Sequence, residues 1–269
     1  MAHIYFRNEN CIETMKKMQS TNFKVDLILT SPPYATSRST TKTQKSIDNY
    51  VCRYDICLDN MNEEQYKEWT VELFNNFDNV LEKNGVVLYN LSYGSENPSA
   101  LWLSIAAIIE KTSFMVADTI IWKKKTALPN NVGNKLTRIT EFVFVICRKS
   151  EYKTFNINKG VKSVREDTGQ KYYNNVYNFI ESPNNDGSCK LNKATYSSEL
   201  CFKLLDIYAI KESKIYDPFM GTGTTGIACE KWGNDKTVCI GSELSQAQVQ
   251  YSVDRLNKYR AKEKSLDLF

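Results

Sequence analysis

The sequence predicts an α/β fold: a mostly parallel sheet with helices on both faces, plus a small irregular insertion. Three observations carry this prediction. Apolar runs of strand length recur at 25–30, 86–91, 115–122 and 141–147, and segments of helical period lie between several of them. Alternation of that kind builds a sheet whose two faces are both covered. Two strand-like runs also end on unusual residues, one at a proline pair and one at a glycine loop. In open α/β sheets the carboxyl edge is where ligands bind.

A chain of 269 residues is long enough for one large α/β domain or a domain with an insertion. Hydrophobic content of 42% and charged content of 25% are ordinary for a globular protein. No apolar run reaches the roughly 18 residues that span a bilayer. The start, Met1 to Arg7, has neither the basic opening nor the apolar core of a signal peptide. A cytoplasmic location and no membrane partner are therefore expected. Eight cysteines are scattered without a Cys-x-x-Cys pair, which suits buried small hydrophobes in a reducing compartment. The single histidine, His3, argues against histidine-ligated zinc and serine–histidine catalysis. No metal site is expected.

Residues 4–20 read as a strand and then a helix, with Ile12, Met15, Lys16 and Met18 along one stripe. The strand Val25 to Thr30 runs into Ser31-Pro32-Pro33-Tyr34. The prolines fix two φ angles and remove two amide donors, so the strand must end there. They leave a rigid corner bearing a hydroxyl, carbonyls and a ring. Taken alone, such a corner reads equally as a structural turn. Residues 35–46 are polar and mildly basic, with Arg38 and Lys42, and read as a mobile loop that either closes over a site or merely connects.

Residues 62–81 have the pattern of an amphipathic helix. Asn62 is the N-cap, Glu63 and Glu64 occupy the first turn, and Tyr66, Trp69, Leu73, Phe77 and Val80 form a core stripe. Gly85 is expected to end that segment before the buried strand Val86 to Leu91, near whose end Asn90 stands. A helix over 98–111 and strands over 115–122 and 141–147 follow. Between the last two strands, Lys123, Lys124, Lys125, Lys135 and Arg138 occur with no acidic residue over 123–138. On loop-like sequence this cluster suits phosphate contact, though a solvated face has the same composition.

From 149 to 193 the character changes: Lys and Arg outnumber Asp and Glu by eight to five, and aliphatic residues are few. Tyrosines interleave with Lys162 and Arg165, as in surfaces that combine phosphate contact with aromatic stacking and also in plain polar excursions. The expected organisation is therefore 1–148, an insertion over 149–192, and 193–269, with a helix over 198–209 restoring globular patterning.

A second special stretch follows: Asp217-Pro218-Phe219-Met220-Gly221-Thr222-Gly223-Thr224-Thr225. A short strand ends at a carboxylate, a glycine loop follows and a helix begins. Twenty residues after Gly223, a further strand ends at Glu243, the spacing at which a carboxylate holds ribose hydroxyls in nucleoside-binding α/β folds. A carboxylate ahead of the loop would repel phosphate but suits a cationic ligand. S-adenosylmethionine, with its ammonium and sulfonium, fits. The competing reading is a glycine turn that only packs a helix.

Residues 217–225 resemble the S-adenosylmethionine loop of the amino-group DNA methyltransferases, and Thr30-Ser31-Pro32-Pro33-Tyr34 resembles their catalytic motif. Catalytic motif first and cofactor loop last is the order of the beta class, a circularly permuted Rossmann-like fold. Ser31 at the variable motif position resembles the N4-cytosine subgroup. Lys193 to Leu200 resembles the segment lining the methionine pocket, which brings in Thr195 and Tyr196; Ser197 stands where the family usually has proline. In that class the gap over 150–190 holds the target recognition domain.

The resemblance implies methyl transfer from S-adenosylmethionine to the N4 amine of a flipped cytosine in double-stranded DNA, within a restriction–modification system that includes a cognate endonuclease. It places Ser31, Pro32, Pro33 and Tyr34 in catalysis. Asp217, Pro218, Phe219, Gly221, Gly223, Thr224, Thr225 and Glu243 would serve the cofactor. Adenine N6 is the alternative target, and a DNA-binding module without turnover is the alternative class. No Pro-Cys pair occurs, which disfavours 5-carbon cytosine chemistry.

Overall fold

The computed structural model describes residues 1–33, 61–92, 99–127, 129–131, 133–187, 191–192 and 195–266. Strand β1 (His3–Asn8) leads through α1 (Cys11–Ser20) to β2 (Val25–Thr30). Next come α2 (Glu63–Val80), β3 (Leu81–Leu91), α3 (Ala100–Lys111), β4 (Phe114–Lys124) and β5 (Thr140–Arg148). Three short strands, β6 (Val161–Val164), β7 (Lys171–Tyr173) and β8 (Phe179–Ser182), precede α4 (Ser198–Tyr208). The chain continues with β9 (Lys214–Asp217), α5 (Thr224–Trp232), β10 (Val238–Glu243) and α6 (Gln246–Leu266).

Eight strands form the main sheet in the order β1-β10-β9-β2-β3-β5-β4-β8, and β6 pairs with β7 alone. Among the described residues, β5 is the one strand of the main sheet that opposes the rest: it pairs antiparallel with β3 and β4, while every other pairing is parallel. From β2 the chain steps one way to β3, whereas β9 adds on the other side of β2 and β10 continues outward from it. The strand order therefore reverses between β2 and β9. In doubly wound sheets such a switch point opens a crevice at the carboxyl ends of the strands.

The apolar run in β2 is explained by burial on both faces. Leu27 and Leu29 pack with α4 and α5 residues such as Leu204, Leu205 and Ala228. Ile28, on the opposite face, packs with Met15, Leu73 and Phe77 of α1 and α2. In α1 the buried side chains are Cys11, Thr14, Met15 and Met18, so Lys16, expected on the stripe, instead points outward. Helix α2 starts at the predicted N-cap: the Asn62 side chain accepts from the Gln65 backbone amide, and the Gln65 side chain in turn accepts from the Asn62 backbone amide, completing a capping box. Cysteines 11, 147, 201, 229 and 239 are buried free thiols.

Three sequence expectations need correction. Gly85 does not end a helix. Helix α2 stops at Val80, Leu81 is already extended, and Gly85 lies within β3. Asn84 takes a φ of 61° beside a register shift against β2, and a Cβ on Gly85 would come within 2.7 Å of the Leu81 Cγ. The glycine permits this irregular step in the strand. Lys123 and Lys124 are strand residues of β4 rather than loop residues. The segment 149–192 does more than form an excursion, because β8 within it extends the main sheet parallel to β4. Pro98, the expected start of α3, lies outside the described residues.

Candidate active site

The switch point joins the two special stretches. Thr30, the last residue of β2, is fully buried and donates from Oγ1 to Oδ1 of Asp217, the last residue of β9, at 2.8 Å. Asp217 is itself buried and accepts three more bonds. The Phe219 amide reaches Oδ1 at 3.1 Å, while the hydroxyls of Thr225 and Tyr196 reach Oδ2 at 2.5 and 3.1 Å. Burial pushes the carboxyl above its ordinary range, and these donors offset only part of that rise. Burial and the adjacent Asp217 push the Tyr196 hydroxyl far up, which keeps it a donor.

A cavity of about 330 Å³ opens above this knot. Ser31 and Pro33 form one wall, and Pro218, Phe219, Gly221 and Thr224 of the glycine loop form another. Thr195, Tyr196 and Glu243 line it as well. Nine of the expected site residues thus share one space: Ser31, Pro33, Thr195, Tyr196, Pro218, Phe219, Gly221, Thr224 and Glu243. Pro32 is buried behind the corner. Asp217, Gly223 and Thr225 do not line this cavity; Asp217 lies beneath the glycine loop and accepts from Thr225 and the Phe219 amide. Tyr34, Arg38 and Lys42 lie outside the described residues.

The corner and loop are held by neighbours that sequence patterning assigned to the core or did not single out. The Tyr66 hydroxyl of α2 donates to the Pro33 carbonyl at 2.9 Å. One turn on, Trp69 lines the cavity with its ring 5.6 Å from that of Phe219, so two aromatic faces bound one end. Gly223, at φ 78°, caps α5, and a Cβ there would lie 2.7 Å from the Ser252 Cβ of α6. Ser252 donates to the Gly221 carbonyl at 3.2 Å, and Arg255 donates to the Thr222 carbonyl and Thr224 hydroxyl at 3.1 Å each. Asn192 and Gln248 bond to each other at 3.0 Å in the cavity wall. Helix α6 is thus the back support of the loop.

Glu243 accepts from the Gly221 amide at 3.1 Å and the Ser245 amide at 2.9 Å while lining the cavity. Backbone donors fix this carboxylate where it can meet vicinal hydroxyls. A carboxylate, a glycine-loop backbone and a pair of aromatic faces in a space this size fit a purine nucleoside with a charged tail. Ser197, where the resemblance leads one to expect proline, serves as the N-cap of α4 and accepts from the Leu200 amide at 3.3 Å.

The basic strip is less positive in space than along the chain. Lys123 pairs with Glu181 and Lys124 with Glu141, acids supplied by β8 and β5. Lys125 and Lys135 are exposed and Arg138 is half-buried. Lys162 is exposed on β6, and Arg165 pairs with Asp167 at 2.7 Å. Exposed Val161, Val164, Tyr172 and Tyr173 flank them on the β6–β7 hairpin.

Comparison with known proteins agrees with this architecture. A model of the DNA methylase family, which covers N6 and N4 methyltransferases, matches residues 25–254. The Type II methyltransferase M.Cfr9I of Citrobacter freundii is 24% identical over 152 residues, covering 56% of this chain and 48% of the relative. M.MthZI of Methanothermobacter thermautotrophicus is 24% identical over 287 residues, covering 95% of this chain and 76% of the relative. The chain thus spans about half of the first relative's length. Among solved structures, PvuII DNA methyltransferase, described as cytosine-N4-specific, superposes with a TM-score of 0.68 at 16% identity, covering 94% of this chain and 86% of that one. The complex of M1.HpyAVI with SAM superposes with a TM-score of 0.58 at 22% identity, covering 94% and 99%. These likenesses establish a methyltransferase fold.

Proposed function

The chain belongs to the DNA methylase family, and on that premise we propose that it methylates the exocyclic N4 amine of cytosine in double-stranded DNA with S-adenosylmethionine as donor. The observation that carries the reading is the shared cavity, which Ser31 and Pro33 enter from β2 and the glycine loop and Glu243 from β9 and β10. When bound, the cofactor would supply an electrophilic methyl group on its sulfonium and leave as the neutral thioether, S-adenosylhomocysteine, while the methylated amine gives up one proton to solvent. Glu243 takes its ribose hydroxyls, Trp69 and Phe219 bound its purine, and the loop over Asp217 receives its methionine part. Among the described residues no helix is long and apolar enough to cross a membrane, and a DNA substrate accords with a cytoplasmic place.

An exocyclic amine is a poor nucleophile because its lone pair is delocalised into the ring. The chain's task is to localise that pair and aim it. The Ser31 hydroxyl oxygen and the Pro32 carbonyl accept the two amine hydrogens, and Tyr34 stacks on the base. The proline corner, braced by Tyr66, fixes those acceptors before the substrate arrives, so positioning and electrostatics supply the rate without a covalent nucleophile. The amine is out of reach inside a duplex, which requires the base to be flipped. Lys125, Lys135, Arg138, Lys162, Arg38 and Lys42 are the phosphate contacts of this reading, and the β6–β7 hairpin, within the insertion over 149–192, is its recognition element.

Serine at the first motif position favours cytosine over adenine, in line with the described specificity of the PvuII enzyme. The names of the relatives, Type II methyltransferases, support a role beside a cognate restriction endonuclease. The test is transfer of isotope-labelled methyl groups from S-adenosylmethionine to duplex DNA by the purified protein. Transfer by the wild type supports the reading; retention of the cofactor and of DNA with no transfer favours a binding module without turnover.

A further inference from the structure

Four strand ends place a continuous polar row along the carboxyl edge of the sheet, running away from Ser31. Ser31 follows Thr30, which pairs with Tyr89, and Asn90 is the next residue of β3. The Asn90 side chain, 3% exposed, donates from Nδ2 to the Ser31 Oγ at 3.4 Å and to the Glu141 Oε2 at 3.0 Å. Glu141, on antiparallel β5, is in turn paired through Oε1 with Lys124 of β4. The carboxylate side chain is 12% exposed and the Lys124 side chain 24%. Neither Asn90 nor Glu141 lines the cavity. Among the described residues, Ser31 is the cavity residue to which Asn90 bonds.

The chemistry of the row is directional. A side-chain amide has a donor end and an acceptor end of nearly the same shape, and nothing in its packing volume tells them apart. A carboxylate oxygen only accepts. Glu141 therefore compels Asn90 to turn its nitrogen toward the site, and that nitrogen then meets the Ser31 oxygen as a donor. The bond holds the Ser31 oxygen in place, on the side of the sheet edge from which an incoming N–H would be accepted. If the amide were reversed, its oxygen would take the serine proton and rotate the hydroxyl. Lys124 fixes Glu141 in its turn, so the orientation is set from the sheet edge inward.

We propose that Glu141 and Asn90 are positioning residues for the methyl-transfer step: Glu141 fixes the orientation of the Asn90 amide, and Asn90 holds the Ser31 oxygen as the acceptor for the target amine. This rests on the function proposed for Ser31 above. It also explains why a lysine in the basic strip is spent on an acid rather than on phosphate.

Glu141→Gln preserves shape but lets Asn90 lie either way. Its kcat is expected to fall roughly 10- to 100-fold, the scale of a misplaced reacting group, with cofactor affinity unchanged and a lower melting temperature from the loss of the Lys124 pair. Asn90→Ala should lower kcat similarly, and adding Glu141→Gln to it should cost nothing further, since both act on one contact. A readout independent of turnover is the ¹H–¹⁵N signal of the Asn90 side-chain amide, which both Glu141→Gln and Ser31→Ala should shift. Unchanged kcat in Glu141→Gln, additive losses in the double variant, or an amide signal indifferent to both substitutions would each overturn the inference. A wild type that transfers no methyl group to DNA would instead overturn the proposed function, and the amide signal would still decide whether the row orients Ser31.

Discussion

The Thr30 hydroxyl donates to the Asp217 carboxylate at 2.8 Å across 187 positions of sequence, and this bond ties the proline corner to the glycine loop. Both residues terminate central strands at the switch point, and both are buried. Thr30→Val keeps the shape and removes the donor, leaving Oδ1 with the Phe219 amide. Loss of a buried bond to a charged group costs about 1–3 kcal/mol. Urea unfolding should show that loss through a lower midpoint with an unchanged slope.

The same carboxylate makes a pH prediction. Burial raises the folded-state pKa of Asp217 above its ordinary value of 3.8, so the folded protein binds this proton more tightly than the unfolded chain. Stability contributed by the group is then present below 3.8 and is lost as pH rises through the folded pKa. Asp217→Asn removes this titration. Urea unfolding of both proteins at stepped pH from 3.8 upward should show a negative contribution in the wild type that the variant lacks.

Gly223 sits at φ 78° with the Ser252 Cβ 2.7 Å from where its own Cβ would be. Gly223→Ala should cost about 1–2 kcal/mol for the left-handed backbone and more for the overlap with α6. A melting temperature equal to the wild type would mean that α6 does not press on the loop.

Glu243→Gln tests the cofactor end. A charge-assisted hydrogen bond contributes about 1.5–3 kcal/mol, so calorimetry should show S-adenosylmethionine binding weakened roughly 10- to 100-fold. Gly221 and Ser245 donate to different oxygens of Glu243, so the glutamine keeps one of these backbone bonds and loses the other; a melting curve of the variant separates that local cost from the loss of ribose binding. Unchanged affinity would move the ribose elsewhere.

What the sequence disclosed, and what it hid, follows from the range of the forces involved. Proline and glycine act on their own φ angles, so the corner at Pro32-Pro33 and the loop at Gly221 to Gly223 are visible in isolation. The N-cap Asn62 is equally local. Roles that depend on partners far along the chain are not visible. That Asp217 also ties the loop to the corner appears only when Thr30, Thr225 and Tyr196 are seen converging on it. The basic strip reads as uncompensated until β5 and β8 bring Glu141 and Glu181 beside it. Gly85 reads as a helix stop because the pattern cannot show that α2 passes directly into β3. Trp69 belongs to a core stripe by spacing, yet the same position also faces the cavity. Helix α6 escaped notice because its polar residues are spread around it, with Ser252 and Arg255 turned inward to the glycine loop and Gln248 to Asn192.

The most direct test is nucleoside mass spectrometry of duplex DNA after incubation with the purified protein and S-adenosylmethionine. The account predicts N4-methylcytosine with the wild type. With Ser31→Ala, which leaves cofactor affinity unchanged, the product should fall by about 100-fold or more, the scale on which losing one preorganised hydrogen-bonding group slows a reaction. N6-methyladenine as the sole product, or undiminished N4-methylcytosine from Ser31→Ala, would contradict it.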